Sequence, residues 1–361
     1  MSKIRSVVIM AGGRGERFWP QSRRLKPKHL LPIVGDKPML LQTVERIRDW
    51  IPPERIWIIT NTDQVEAVRS LCADLPADRI IAEPIGRDTA AAVGLAALLV
   101  EKEFPGSAFA ILPSDHVISD RNSFQQDLDL AFDLAESESA LITVGIQPKR
   151  PATGYGYIEK GSALPSGKAF AVKRFVEKPD LTQAKEYLAT GRYFWNAGMF
   201  VWTTKVILSA IQKHVPQLWS QLEEVRSDWE KSPRSLESIL QAHYPTLQKI
   251  SIDYAVMEKA DKVLVVESTF EWDDVGEWPA VERHNSPDEK GNTVRGTCLL
   301  REAKGNIVRT DGNHLIALIG VEDLMVLHTE DATLVCPKSK AQDIKDLVRE
   351  IEKHPDGERF L

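Results

Sequence analysis

Cysteine is scarce in this chain: Cys72, Cys298 and Cys336 are the only three among 361 residues, and they lie far apart. That is too few, and too scattered, for a disulfide framework or a zinc cluster, and it points to a reducing, cytoplasmic compartment. Long apolar runs are missing as well. No window approaches the roughly 20 apolar residues of a membrane-spanning helix. The apolar run near the N-terminus is broken at Gly12, Gly13 and Arg14, too early for the apolar region of a signal peptide. Positive charge is not in excess either: 46 Lys and Arg stand against 52 Asp and Glu, a net −6. A general nucleic-acid binder favours a basic surface, so none is expected here, and any anionic ligand must be held by local cations. The histidines form no metal cluster, and no nucleophile–base arrangement is evident.

The rest of the composition is ordinary for a globular chain, 43% hydrophobic and 27% charged. The length is more than one domain usually needs. Short apolar runs at Val7–Met10, Ile56–Thr60, Arg79–Ala82, Ala108–Leu112 and Leu141–Val144 read as buried strands. Between them Leu40, Val44 and Ile47 keep helical spacing, as do Phe124, Leu128, Phe132 and Ala135. Such alternation predicts an α/β fold: a Rossmann-like mixed, mainly parallel sheet flanked by helices, with ligands collecting at the carboxyl ends of the strands. Further strands are expected at Tyr155–Glu159, Ala169–Val176, Met199–Trp202 and Lys262–Val266. The polar segment 283–293, "RHNSPDEKGNT", marks a boundary. Beyond it "CLL", "NIV", "LIALI", "LMVL" and "TLVC" alternate with turn signals, which predicts a small all-β, β-helix-like domain. A terminal amphipathic helix follows, with Ser339 as its expected N-cap. The division is therefore 1–285 and 286–361.

The densest signal is "MAGGRGERFWPQSRRLKPKHLLP", residues 10–32, directly after the first strand. Glycines there let backbone N–H groups approach a phosphate with no Cβ in the way. Two familiar versions are excluded. A P-loop needs Gly-Lys followed by Ser or Thr, which is absent, and the dinucleotide fingerprint needs a third glycine where Phe18 stands. "GGRG" alone is better read as a tight turn with a solvated basic loop. With Arg17, Trp19-Pro20 and Pro27-Lys28 beside it, a phosphate cradle is the better reading.

With these residues on the page, "AGGRGERFWPQS…PK" resembles the signature of the sugar-nucleotide pyrophosphorylases. Its "FWP" is similar to the mannose-1-phosphate guanylyltransferases, and the resemblance extends over nearly the whole chain. His29 departs from the glutamine that many bacterial members carry. The resemblance implies that Ala11, Gly12, Gly13 and Gly15 cradle the nucleotide and that Arg17 and Lys28 neutralise its phosphates.

In "EPIGRDTAAAV" Asp88 reads simply as a helix cap at Thr89. A carboxylate can also accept guanine's adjacent N1–H and N2–H donors together. Glu83 falls where thymidine-specific relatives carry a base-reading glutamine, so it is assigned to guanine, with Arg87, Asp88 and Thr89 shaping the pocket. Asp115 in "ILPSDHVI", and Asp273 with Asp274 in "TFEWDDVGEW", suit Mg²⁺, which takes a few carboxylates and completes its shell with water and phosphate. The family pattern matches Asp115 and Asp274; Asp273 is the close competitor. An isolated pair such as Glu177–Lys178 is usually a solvated surface pair. In the family, the "VEKPD" motif binds the sugar phosphate, which assigns Glu177 to sugar hydroxyls and Lys178 to phosphate. Tyr155-Gly156 resembles a backbone contact to the sugar, and Asn196 is a further hydroxyl partner.

The expected reaction joins GTP to mannose 1-phosphate, giving GDP-mannose and pyrophosphate with Mg²⁺ as cofactor. Direct displacement on phosphorus needs positioning and charge more than a protein nucleophile. Two alternatives stand beside it: a pyrophosphorylase for another sugar or base, and a catalytically silent nucleotide-sugar sensor. The C-terminal domain is expected to serve assembly, as a homodimer, or stability. The chain is expected to end too soon for the full isomerase domain of some relatives.

Overall fold

The computed structural model describes residues 3–165 and 167–361. The chain gathers into two compact units, each built from more than one segment. One comprises Met1–Gly12, Glu45–Pro113 and Ile118–Trp272; the other comprises Gly13–Val44, Ser114–Val117 and Asp273–Leu361.

The first unit is organised by a nine-stranded sheet, in the order Ile80–Glu83, Ile56–Asn61, Arg5–Ala11, Ala108–Pro113, Tyr193–Thr203, Leu141–Ile146, Val263–Glu267, Ala169–Val176 and Tyr157–Ala163. The first four strands run parallel, as strand–helix alternation predicts. Tyr193–Thr203 then inserts antiparallel between Ala108–Pro113 and Leu141–Ile146. It is longer than the expected Met199–Trp202. Its first half carries Asn196 and a register shift against Leu141–Ile146, which hide a strand pattern. Tyr155 and Gly156 precede their strand, which runs Tyr157–Ala163.

Helix Asp88–Glu103 is apolar nearly all round and buried from Ala90 to Val100, as a central helix must be. A Cβ at Gly94 would come within 2.4 Å of Leu222, so glycine is what allows helix Pro216–Lys231 to close on it. Helix Arg121–Glu138 is capped by Asp120, which accepts from Ser123 N at 3.1 Å. It buries Phe124, Leu128, Ala131, Phe132 and Ala135. No helix among the described residues is long and apolar enough to cross a membrane.

In the second unit the strands Thr293–Arg295, Ile307–Thr310 and Leu324–His328 stack in parallel, and Cys298–Arg301 pairs in parallel with Ile316–Ile319. This is the coiled, β-helix-like arrangement expected. Buried asparagines tie its turns together. Asn306 Nδ2 donates to Asn292 Oδ1 at 2.9 Å, and Asn292 Nδ2 donates to Ala303 O at 3.0 Å. Strand Thr293–Arg295, three residues long, lies outside the expected set because "TVR" has no apolar run.

Two features hold residues 13–44 within this unit. Arg309, 5% exposed, donates to Ile33 O at 3.1 Å and Pro32 O at 2.8 Å. Phe18, Trp19, Leu31, Ile33 and Met39 share one core with Trp278, Leu327, Ile344 and Val348. The terminal helix is Ile344–Lys353. Ser339 is not its N-cap, because residues Lys338–Asp343 form a 3₁₀ turn ahead of it.

Candidate functional site

Gly15 has φ 66°, and a Cβ there would stand 2.4 Å from the Lys28 Cβ. Only glycine allows this turn to pass so close to Lys28. Gly13 meets nothing within 4 Å on the side where a Cβ would stand. Ser22 Oγ donates to Gly15 O at 2.7 Å and fixes the turn, and the Trp19–Pro20 peptide that follows is cis.

Lys28 is buried, and all three donors of its ammonium are engaged: Asp115 Oδ2 at 2.8 Å, Asp115 O at 3.1 Å and Asp274 O at 2.7 Å. It therefore pins two loops, remote in sequence, to the glycine-rich turn. Burial alone would raise the Asp115 carboxyl, but Lys28 and His116 beside it hold it lowered, at about 2. Arg17, Lys28, Asp115 and Asp274 line one cavity of about 450 Å³ within this unit. The Arg17 Nε is buried without a hydrogen-bond partner, and Arg17 makes no ion pair among the described residues.

Asp273 and Asp274, poorly separated by the sequence, differ in the structure. Asp273 accepts from Arg283 Nε at 2.6 Å, Arg283 Nη2 at 2.7 Å and Val275 N at 2.9 Å, and pairs with His284 Nε2 at 2.8 Å. These contacts outweigh its burial and depress its carboxyl. They also brace Val275, whose φ of 43° is strained for a β-branched residue. Asp274 lines the cavity instead, and at Gly276 even a Cβ would crowd its carboxylate, at 2.9 Å. No group of three or more His, Cys, Asp or Glu among the described residues is arranged to hold a metal. A pair of carboxylates in a cavity also lined by Arg17 and Lys28 is nonetheless a donor set that suits Mg²⁺, which keeps water and phosphate oxygens as its other ligands.

His29, 2% exposed, is buried with Nε2 unpartnered, and burial lowers its pKa to about 4, leaving it neutral.

The remaining assigned residues lie in the first unit. Ala11 ends the first strand, where its carbonyl accepts from Thr60 Oγ1 at 2.9 Å; that of Gly12 accepts from Asn61 Nδ2 at 2.9 Å. Glu83, 6% exposed, accepts from the Tyr244 hydroxyl, and its Oε2 lies 3.3 Å from where a Gly12 Cβ would stand. Burial raises its carboxyl to about 7, against the lowering effect of the Tyr244 bond. Asp88 opens its helix with φ 63° and accepts from Thr89 N at 2.8 Å, while Thr89 Oγ1 accepts from Ile252 N at 2.8 Å. Arg87 is half-buried, and its Nε has no partner.

Gly156, Glu177, Lys178 and Asn196 come together in this unit. A Cβ at Gly156 would lie 2.6 Å from Glu177 Oε2, and Gly156 O accepts from Asn196 N at 2.8 Å. Glu177 pairs with Lys178 at 3.0 Å. Asn196 donates through Nδ2 to Asp253 at 2.9 Å. Asp253 is a residue that sequence reasoning misses. Burial and the neighbouring Glu177 raise its carboxyl to about 6. A lone acid in the otherwise apolar "AVM"-flanked run after Ile252 is its only signal, and the π-helical turn Asp253–Met257 leaves no trace in sequence. Tyr244, beside Glu83, carries no signal at all.

A family model described as nucleotidyl transferase matches residues 6–291, and one described as a mannose-phosphate isomerase/GMP-like β-helix domain matches residues 298–351. The chain is 36% identical over 359 residues to the mannose-1-phosphate guanylyltransferase of Klebsiella pneumoniae, covering 97% of this chain and 74% of that one. It is 35% identical over 353 residues to the alginate biosynthesis protein AlgA of Pseudomonas aeruginosa, covering 96% and 72%. A crystal structure titled mannose-1-phosphate geranyltransferase, from Thermus thermophilus, superposes with a TM-score of 0.84 at 36% identity, covering 96% of this chain and 99% of that one. With matches of that identity over almost its whole length, the chain belongs to the nucleotidyl transferase family, among the mannose-1-phosphate guanylyltransferases.

Proposed function

We infer that the protein transfers the guanylyl group of GTP to α-D-mannose 1-phosphate, giving GDP-mannose and pyrophosphate. A phosphate oxygen of the sugar attacks the α-phosphorus in line, the bond to the bridging oxygen breaks, and pyrophosphate leaves with that electron pair. The observation that carries this reading is the cavity in which Arg17 has no anionic partner beside Asp115 and Asp274, whose loops Lys28 pins through the Asp115 carboxylate and the Asp274 backbone carbonyl. The glycine-rich turn offers N–H donors to the phosphates. Arg17 meets the triphosphate directly, whereas Lys28 adds its charge while positioning Asp115 and Asp274. These two carboxylates would hold Mg²⁺, which when bound supplies charge neutralisation to phosphate oxygens. Glu83 reads guanine through Oε2, with Arg87, Asp88 and Thr89 around the base. Glu177 accepts sugar hydroxyls, Lys178 meets the sugar phosphate, and Asn196 is oriented for a hydroxyl by Asp253. The C-terminal domain also assembles two copies: Leu299 and Ile319, 65% and 69% exposed, stand on paired strands of its surface.

The test is pyrophosphate release from GTP and mannose 1-phosphate, run beside ATP, UTP, dTTP and glucose 1-phosphate. Fastest turnover with GTP and mannose 1-phosphate is expected. A preference for another base or sugar would replace this reading with a related pyrophosphorylase, and tight binding without turnover would replace it with a sensor.

A further inference from the structure

Lys345 belongs to the C-terminal helix, a segment in which the sequence marks no chemistry, yet it lines the same cavity as Arg17, Lys28, Asp115 and Asp274. The helix is locked in place: Ile344 and Val348 are buried in the core that holds Phe18 and Trp19, and the helix packs on the Glu16–Phe18 turn. Neighbouring charges are satisfied locally, Lys340 by Asp343 at 2.9 Å and Arg349 by Asp346 at 2.9 Å. Lys345 is half-buried and makes no ion pair among the described residues.

The charge inventory of the cavity gives this placement its meaning. Lys28 has spent every donor on Asp115 and Asp274, and Arg14 lies 3.7 Å from Glu352. Arg17 and Lys345 remain as the cations of the lining without a carboxylate partner among the described residues. A polyphosphate carries several negative charges over a short span, and one guanidinium cannot neutralise it. A lysine held by a packed helix loses less freedom on binding than one on a mobile loop.

We propose that Lys345 is a ligand for the pyrophosphate portion of GTP and for the departing pyrophosphate, so that the C-terminal helix supplies part of the phosphate site. This rests on reading the cavity as the phosphate site. The helix then contributes charge to the reaction as well as stability.

The experiment compares Lys345→Ala, Lys345→Arg, Arg17→Ala and Lys353→Ala. Each is assayed in both directions: GTP with mannose 1-phosphate, and GDP-mannose with inorganic pyrophosphate. Loss of one charge-assisted contact should raise the KM for pyrophosphate and for GTP about 10- to 100-fold in Lys345→Ala. The KM for mannose 1-phosphate and the melting temperature should stay near wild type. Lys345→Arg should recover most of the loss, and Lys353→Ala, exposed near the end of the same helix, should behave as wild type. A wild-type KM for pyrophosphate in Lys345→Ala, with Arg17→Ala impaired, overturns the role of Lys345 and leaves the cavity assignment standing. If Arg17→Ala also keeps its KM for pyrophosphate, the cavity is not the phosphate site and both readings fall. A loss that Lys345→Arg does not recover, accompanied by a lower melting temperature, makes Lys345 structural and also overturns the proposal.

Discussion

Burial of Glu83 beside Tyr244 lifts its carboxyl to about 7, and this sets two opposing demands. Folding favours the protonated form, because the folded chain holds that proton more tightly than the unfolded one. Stability therefore falls as pH rises from about 4.5 towards 7, and the full cost is present above that window. Guanine recognition needs the ionised form, since Oε1 is taken by Tyr244 and a proton on Oε2 would meet guanine's donors with a donor of its own. The KM for GTP should accordingly drop as pH rises through about 7. Glu83→Gln should melt higher than wild type at pH 8, with the difference shrinking towards pH 4.5. It should also lose about 1–3 kcal/mol in kcat/KM for GTP relative to dTTP. A GTP preference that survives the substitution would remove Glu83 from the base. The adjacent aspartates give a second residue-scale contrast. Asp274→Asn should lower activity on the order of 10²- to 10³-fold with little change in melting temperature. Asp273→Asn should instead lower the melting temperature, since it abandons Arg283, His284 and the strained Val275. A depressed carboxyl stabilises above its ordinary range, so that Asp273 contribution should vanish as pH falls below about 4. The sequence prefers Asp274 only through the family pattern and otherwise separates the two poorly, because what distinguishes them is the pair Arg283 and His284, ten and eleven residues downstream of Asp273. Tyr244 is invisible for the same reason: its partner is remote in the chain.

Among the elements, the four parallel strands Ile80–Glu83, Ile56–Asn61, Arg5–Ala11 and Ala108–Pro113, and Leu141–Ile146, are legible because each is a short apolar run, with helical spacing between them. Pairing direction is legible only where helices force parallel crossovers. The antiparallel insertion of Tyr193–Thr203 is a tertiary choice that leaves no local pattern. The glycine-rich turn is the most legible element, and the structure gives its glycines separate duties. Gly15 is the strict one, because a side chain there would strain the backbone and strike Lys28. Gly15→Ala should displace Lys28 and with it the two loops that Lys28 pins. The expected result is a fall in kcat of at least about 10²-fold, together with a lower melting temperature. Gly13→Ala, which meets nothing within 4 Å, is the comparison and should fold normally. Equal melting temperatures for Gly15→Ala and wild type would show that the turn tolerates the Cβ.

At the scale of the whole molecule, the sequence suggests two domains in linear succession, whereas the compact units are assembled from interleaved segments. Residues 13–44 share a core with the C-terminal strands and helix, and Arg295 and Arg309 hold the carbonyls of Pro32, Ile33 and Gly35. Such contacts cannot be read from a chain whose apolar runs look complete in themselves. They change what truncation should do. Ending the chain after Ser286 would leave Phe18, Trp19 and Trp278 without their buried partners, at a cost on the order of 1.5–3 kcal/mol for each large side chain exposed. Aggregation, or loss of activity with loss of the thermal transition, is expected. The proposed assembly of two copies can be separated from this by a surface change. Leu299 and Ile319 are exposed apolar residues on paired strands, and a charge at each should oppose contact between two copies while leaving the core intact. Leu299→Lys with Ile319→Lys should therefore halve the mass measured by light scattering yet keep the melting transition and most of kcat. If that double variant remains dimeric, the interface lies elsewhere. If it becomes monomeric and inactive at an unchanged melting temperature, assembly itself is needed for turnover, and the C-terminal domain does more for the reaction than supply the charge of Lys345.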